Sequence, residues 1–526
     1  VRRTRFWIGL VLLGVPSAAC SAILDLEAPP SPQAESPVDA AAPTADAREA
    51  STDAPEAPTG DAGGPPPVCA ALDAAGPGAD ASVTFHALGG GDGGAGSWAL
   101  FNTTAVGKRA QSFAGGAFDG RFVYFAPATN GVITRLDTAA AGGFQVATSW
   151  STFDAVTLPG ASGAGGFSGA SFDGRYVYFV PHGLGGVQSG IVVRFDPTGS
   201  FNSAASWATF DTSSLDGGAP AKGFSGAGSD GHYVYFVPNN DGTPDGRVVR
   251  YDASRLLGAP SLDGGHPDAG DVSSDAAAGD AGASDAAGAD AGTLAGTFAD
   301  PSLWSTFDVS STIPGAAGFI GAVFDGRSLY LVPSNNAGLG DNGFSGIAAR
   351  FKTDAGFASA SSWSALDLTT INGEAVGFSG AAFDGRYLYF VPHLHGIVLR
   401  LDTTASQPTS SAAWSVFDVT SLTPMDASAP QFAGAAFDGR FVYFVPSTAG
   451  FGVVTRYDTQ STFTSSCAWS TFDLTQLDPG ASFYVGAVFD GQYVYFVPRG
   501  SGLVARFDAK TPPSQPSLPA FHGSFY

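Results

Sequence analysis

Two histidines stand two residues apart in HLHG (His393–Gly396), and one carboxylate, Glu374, lies a little upstream. A His-x-His pair with a carboxylate is a chemistry that holds zinc. A third histidine, His182, follows a proline just as His393 does. Asn239, Asn240, Asp241, Asn335, Asn336 and Asp341 fall in corresponding stretches. Their oxygens suit a glycan hydroxyl or a calcium ion. Against these readings, loop histidines without a firm third ligand are ordinarily plain polar residues, and Asn and Asp are ordinary turn formers. No metal or cofactor is therefore assigned; zinc and calcium are the ions these side chains would take. No catalytic residue is assigned either. The chain has no G-x-S-x-G, no H-E-x-x-H and no phosphate-cradling glycine loop. Paired glycosidase carboxylates usually include Glu, and Glu374 is the sole Glu in the segment concerned.

What must position these residues is a repeat. FDGRYVYFVP (Phe172–Pro181) has near-copies at Phe118, Ser229, Phe324, Phe383, Phe437 and Phe489. Each copy opens a unit of four apolar segments. In the fifth these are GFSGAAFD (Gly377–Asp384), YLYFVP (Tyr387–Pro392), GIVLRLD (Gly396–Asp402) and WSVFDV (Trp414–Val419). They are short, aromatic and β-branched, and bounded by Gly and Pro, so they read as strands. Asp-Gly between the first two is a hairpin signal, since both residues tolerate positive φ in a primed turn. The second strand is apolar at successive positions, so both of its faces are dry. An antiparallel sheet covered on both faces and repeated is a β-propeller blade. Gly115, Gly169, Gly226, Gly321, Gly380, Gly434 and Gly486 hold one register of the first strand, as crowding around an axis requires.

The count gives the closure. Seven hairpins accompany seven tryptophan strands, at Trp98, Trp150, Trp207, Trp304, Trp363, Trp414 and Trp469. The series opens on a tryptophan strand and ends on a third strand, so the Trp98 strand completes the last blade. The expected fold is all-β, a seven-bladed β-propeller of four-stranded antiparallel blades, preceded by a disordered tether. The propeller spans residues 81–508, with a low-complexity insert at 255–300 inside blade 3 and a tail at 509–526.

Other repeated residues read as scaffold. Each tryptophan buries a large ring, about 200 Å². Arg135, Arg194, Arg250, Arg350, Arg400, Arg456 and Arg506 occupy one register of the third strand, and six have Asp two residues later; blade 4 has Lys352. Fourth strands carry Asp154, Asp211, Asp308, Asp367, Asp418 and Asp473. Pairing of these guanidinium groups with carboxylates on neighbouring strands or blades is expected. DGRYVYFVP resembles the strand pair of kelch-type propeller repeats, although Pro stands where kelch has a double Gly and the kelch Tyr–Trp spacing is missing. The resemblance covers the architecture of the array, and no ligand follows from it. Propellers in general imply a binding face made by the second-to-third and fourth-to-first loops.

The formal net charge is −23, and most Lys and Arg are fixed by the repeat or the first five residues, which excludes a nucleic-acid surface. VRRTRFWIGLVLLGVPSAAC has a basic start, a short apolar run and small residues. Residues 1–19 read as a signal peptide. Cys20 after small residues resembles the lipidated cysteine of bacterial lipoproteins, with Ser17 departing from that pattern, and Ser21 by the same resemblance points to the outer membrane. A plain secreted form is the alternative. Residues 20–80 are an Ala-, Pro- and Asp-rich tether that cannot bury a core. Cys69 and Cys467 either pair in an oxidising compartment or stay free. The leading expectation is a cell-envelope-anchored, non-catalytic binding or scaffold propeller, contacting a protein or glycan through its loop face. It would touch a membrane through the lipid only and act as a monomer. An extracytoplasmic hydrolase or lyase with a loop-built, metal-assisted site and a structural surface protein are the alternatives.

Overall fold

Seven four-stranded antiparallel sheets follow one another along the chain. Blade 1 consists of Phe113–Phe118, Phe122–Pro127, Val132–Asp137 and Trp150–Asp154. Blades 2, 3, 4, 5 and 6 repeat this plan from Phe167, Phe224, Phe319, Phe378 and Phe432. Blade 7 takes Tyr484–Phe489, Tyr493–Pro498 and Leu503–Asp508 from the end of the series and Trp98–Asn102 from its beginning. The pairing runs from Trp98 opposite Phe507 to Asn102 opposite Leu503. The protein is a seven-bladed β-propeller closed by its Trp98 strand. This computed structural model describes residues 98–215, 220–254, 298–335, 343–422 and 431–509. The expected signal peptide, Cys20, the tether, Cys69, residues 255–297 of the insert and the C-terminal tail beyond residue 509 lie outside those residues, as do Asn336 and Asp341.

The doubly apolar second strand serves two neighbours. In blade 1, Val123 and Phe125 pack with blade 7, whereas Tyr124 and Ala126 pack with blade 2. Alternate side chains point to opposite faces of a strand, so each face needs its own apolar set. The first strands carry a bulge around the repeated Gly, which has positive φ of 79–159° in every blade except the second. Gly supplies that conformation without a Cβ penalty.

The hairpin is tighter in its demands than the sequence suggests. Only its Gly takes positive φ, 88–102° across the blades, as in a primed turn with Gly at the first central position. The Asp acts through its side chain. In blade 1, Asp119 Oδ1 accepts from the Arg121 and Phe122 backbone N–H groups, and Oδ2 accepts from the Tyr124 hydroxyl at 2.7 Å. The same Asp–Tyr bond recurs in all seven blades at 2.6–2.9 Å. Burial and the adjacent carboxylate push the Tyr124 hydroxyl well above its ordinary value, so it remains a donor.

For Arg135, Arg250, Arg400 and Arg506 the expected carboxylate ion pairs are corrected by the structure. Arg135 lies between two rings, 4.0 Å from Phe122 of its own blade and 4.1 Å from Phe201 of the next. Arg194, Arg250, Arg400 and Arg506 are sandwiched in the same way. Arg456 meets Phe441 at 4.2 Å and Phe507 at 5.9 Å. A guanidinium is weakly hydrated and planar, so it tolerates burial between rings. The Asp two residues on pairs instead with the hairpin arginine across the strand, in Arg121–Asp137, Arg386–Asp402 and Arg440–Asp458. Fourth-strand Asp154, Asp211, Asp308, Asp367, Asp418 and Asp473 cap the short 3-10 turns that follow them.

The tryptophans join blade to blade. Trp207 stacks on Phe153 of blade 1 at 4.3 Å and 8°, and donates from Nε1 to the Phe201 carbonyl at 2.9 Å. Trp150, Trp304, Trp363 and Trp469 stack likewise on Phe101, Phe210, Phe307 and Phe417. At the seam, Trp98 stacks on Phe472 at 4.9 Å. Trp414 alone meets Leu366 at that position of the preceding blade, and it is only half-buried. We expect Trp207→Ala to cost about 3–5 kcal/mol in urea denaturation. Trp414→Ala should cost less by roughly 1 kcal/mol, the usual worth of an aromatic pair. Equal losses would remove the inter-blade stack from the account.

Candidate functional site

The strands leave two rims. One carries the first-to-second hairpins; the other carries the second-to-third and fourth-to-first loops. On the loop rim the residue after the strand-ending proline is Ala128, His182, Asn239, Ser334, His393, Ser447 or Arg499. Three of these are struts. His182 Nδ1 lies 3.0 Å from the Phe224 carbonyl, His393 Nδ1 lies 3.2 Å from that of Phe432, and Asn239 donates to that of Phe319 at 2.8 Å. Each reaches the first strand of the next blade. Burial lowers the pKa of both imidazoles, and the Arg499 charge adds to this at His182, so they are neutral at pH 7.

His393 is thus buried and engaged, while His395 and Glu374 are exposed. The Asn372 side chain accepts from the Glu374 backbone N–H at 2.8 Å. Among the described residues no group of three or more His, Cys, Asp or Glu is placed to hold a metal ion. The His393–His395–Glu374 spacing therefore does not become a ligand set. Asn240 and Asp241 are occupied in their own turn, accepting from the Gly242 and Thr243 backbone N–H groups. Asn335 forms a bridge with Phe344. Cys467 lies in the 3-10 turn Ser466–Ala468, and Cys69, its candidate partner, is outside the described residues.

The structure brings forward four residues that sequence reasoning passed over. In blade 2 the second-to-third loop is itself a hairpin, Gly183–Leu184 paired with Val187–Gln188. Its central Gly185 and Gly186 both have positive φ, 63° and 81°, the requirement of a tight primed turn. The tip exposes Leu184 by 48% and Val187 by 73%. At its base the Gln188 Oε1 is buried without a hydrogen-bond partner. This oxygen lies 3.2 Å from where a Cβ on Gly223 would stand, beside the Asn240 carbonyl of the blade 3 loop.

Asp245 lies one crevice further round. Its Oδ1 accepts from the Arg247 backbone N–H at 3.1 Å, and its Oδ2 is buried without a partner. Blades 1, 2, 4 and 7 place Asn130, Ser189, Ser345 and Ser501 in this role. Blade 3 alone among these has a carboxylate. Burial raises its pKa to about 6, against the Arg247 backbone hydrogen bond, and the charge of Asp241 pushes the same way. Aligning the positions two residues before the third strand would have flagged Asp245. Nothing in the spacing of Gln188 signals its burial.

No family model and no curated protein matches the chain. Similar solved structures include a virginiamycin B lyase from Staphylococcus aureus, 13% identical, covering 78% of this chain and 98% of that one, with a TM-score of 0.46. YCF48 bound to D1 peptide is 11% identical over 78% of this chain and 95% of that one, TM-score 0.44. PorZ, a surface component of the type-IX secretion system of Porphyromonas gingivalis, is 10% identical over 78% and 39%, TM-score 0.40. At these values the likenesses say nothing of this chain's activity.

Asp245→Ser, which restores the residue of blades 2, 4 and 7, should stabilise the protein by about 1–3 kcal/mol at pH 7.5, the usual cost of an unpartnered buried group. The folded pKa lies above the unfolded one, so ionisation is penalised in the folded state alone. The difference between variant and wild type should shrink as pH falls from about 6 towards 3.8. Urea titrations at pH 7.5 and 4.5 measure it; a pH-independent difference would contradict the assignment.

Proposed function

We propose that the chain is an exported, envelope-anchored, non-catalytic binding propeller that grips a protein through its loop rim over blades 2 and 3. The observation that carries this reading is the projecting hairpin of blade 2. Among the described residues, three large apolar side chains are exposed, and two of them, Leu184 and Val187, share this hairpin. Leu184 lies against Gly165 with part of its side chain, but the rest of it and most of Val187 face solvent on a tight, glycine-locked turn, and a contact surface accounts for that exposure. A partner segment with an aliphatic side chain beside Lys or Arg fits the apolar tip and the negative charge around it. The anionic chain, at −23, favours the same partner. A glycan is the weaker reading, because sugars stack on aromatic rings and this tip is aliphatic. Export and anchoring rest on the basic, apolar and small-residue pattern of residues 1–19 and on Cys20.

Cross-linking the full chain on cells, in parallel with Leu184→Ser/Val187→Ser, tests the reading. We expect a protein that the double variant loses at least tenfold while its urea midpoint stays unchanged. A ligand retained by the double variant, or a glycan bound equally by both forms, would refute it.

A further inference from the structure

Blade 4 departs from the repeat on the opposite rim, where the first-to-second hairpins lie. In blades 1, 5 and 6 the hairpin arginine is held by the Asp at the end of the third strand, with two bonds in each of Arg121–Asp137, Arg386–Asp402 and Arg440–Asp458. In blade 4 that register holds Lys352, directly opposite Ser328. Arg327 therefore faces an ammonium where its counterparts face a carboxylate. Both are exposed, and neither has an ion pair among the described residues.

The arginine behind them is also altered. Arg350 has lost both of its rings. The own-blade ring, Phe122 or its equivalents Tyr176, Tyr233, Tyr387, Phe441 and Tyr493, is Ser328 here. The next-blade ring, Phe201 or its equivalents Phe144, Phe298, Phe357 and Phe463, is Pro408, which the Trp414 Nε1 bond fixes in the same position. Among the described residues the ring over Arg350 is Tyr330, at 5.7 Å, and Arg350 Nε donates to Ser328 Oγ at 3.1 Å. Ser328 and Lys352 oppose each other in register, and Tyr330 and Arg350 do so two residues on, so Arg350 and Lys352 share one face of their strand, with Arg327 next to Ser328 in the adjoining hairpin.

The charge balance shifts from neutral to positive with them. Blades 1, 5 and 6 set two arginines against two carboxylates here. Blade 4 sets Arg327, Arg350 and Lys352 against Asp325, whose Oδ2 already accepts from Tyr330 at 2.9 Å, and exposed Asp354 in the next turn. Cations at such neighbouring positions repel one another, and an anion among them relieves that repulsion. The missing side chain defines what that anion is: a planar or tetrahedral oxyanion in the place of the strand-end carboxylate.

We propose that this edge of blade 4 is a binding site for a single oxyanion group of a small ligand, a carboxylate, sulfate or phosphate. Arg327 offers its guanidinium fork, Lys352 adds a point charge, and Arg350 with the Ser328 hydroxyl backs the site. Asp325 and Asp354 flank it and repel a long polyanion, so one isolated anionic group fits best. The site lies on the rim opposite the proposed protein-binding loops and stands without that reading.

Calorimetry and thermal unfolding of the full chain with sulfate, phosphate and glucuronate, at ionic strength fixed with sodium chloride, test this. Wild type should bind at least one of the three saturably and gain Tm with it. Lys352→Asp rebuilds the fork of blades 1, 5 and 6, so the ligand-free variant should unfold no lower than wild type and bind at least tenfold more weakly. Arg327→Gln, at an exposed position, should weaken binding by a similar factor. Preferential binding of glucuronate would identify a sugar carboxylate, and preferential binding of sulfate or phosphate a tetrahedral group. Absence of saturable binding to wild type, or equal binding to wild type and Lys352→Asp, overturns the proposal.

Discussion

Each sheet of this protein is apolar on both faces, and that condition governs the rest. Val123 and Phe125 on one side of a strand, and Tyr124 and Ala126 on the other, cannot both be covered unless a sheet lies on each side. Sheets in a row always leave two uncovered faces at the ends; sheets in a ring leave none. The strand Trp98–Asn102 completes the ring chemically as well as topologically. Its Trp98 stacks on Phe472 of blade 6, and its Phe101 stacks under Trp150 of blade 1. Five residues thus supply both members of the inter-blade contact at the seam. Loss of that strand would open blade 7 to water on its outer edge and remove two stacks at once.

The arginines show why a guanidinium can be half-buried or buried in six of the blades at tolerable cost. A guanidinium enclosed by carboxylates would need full pairing to offset its desolvation. Enclosed by rings, it keeps its edge for hydrogen bonds, as Arg135 does with Ser151, while its faces gain cation–π attraction of about 0.5–2 kcal/mol. The same loop phenylalanine that covers Arg135, Phe201, accepts the Trp207 hydrogen bond through its carbonyl. One residue therefore couples the third strand of one blade to the fourth strand of the next.

The fold was legible in the sequence because packing is periodic. Strand order, blade count and the identity of the closing strand all follow from which residues recur and where the series starts. The partners of the charged residues were not legible. Arg and Asp two apart on a strand lie on the same face, so spacing alone allows the pair that the hairpin Arg121 in fact takes from Arg135. Only the fold reveals that a ring from the next blade reaches Arg135 first. The candidate site divides similarly. His182 and His393 were visible as departures from the repeat, but their engagement with the Phe224 and Phe432 carbonyls depends on the neighbouring blade. Gln188 and Asp245 drew no notice because Gln and Asp are common in loops; their burial without partners is a property of the crevices between blades.

Departures from a repeat acquire meaning when they converge. A single change, such as Leu366 for the stacking phenylalanine, leaves a weaker contact and needs no further account. Ser328 and Pro408 are far apart in sequence, yet both stand where a ring would cover the same guanidinium, and Lys352 adds charge at the adjacent register. Drift at separate positions has no reason to strip both faces of one arginine and, beside it, to replace the one carboxylate that would have held its neighbour. Each change taken alone destabilises: a lost ring forfeits attraction, and a cation facing a cation adds repulsion. Together they describe a patch of positive charge whose cost falls when an anion occupies it. The loop rim obeys the same logic, with an exposed aliphatic tip and two buried oxygens that lack donors in adjacent crevices. The two rims lie at opposite ends of the strands, so the rigid wheel between them can hold one ligand without displacing the other.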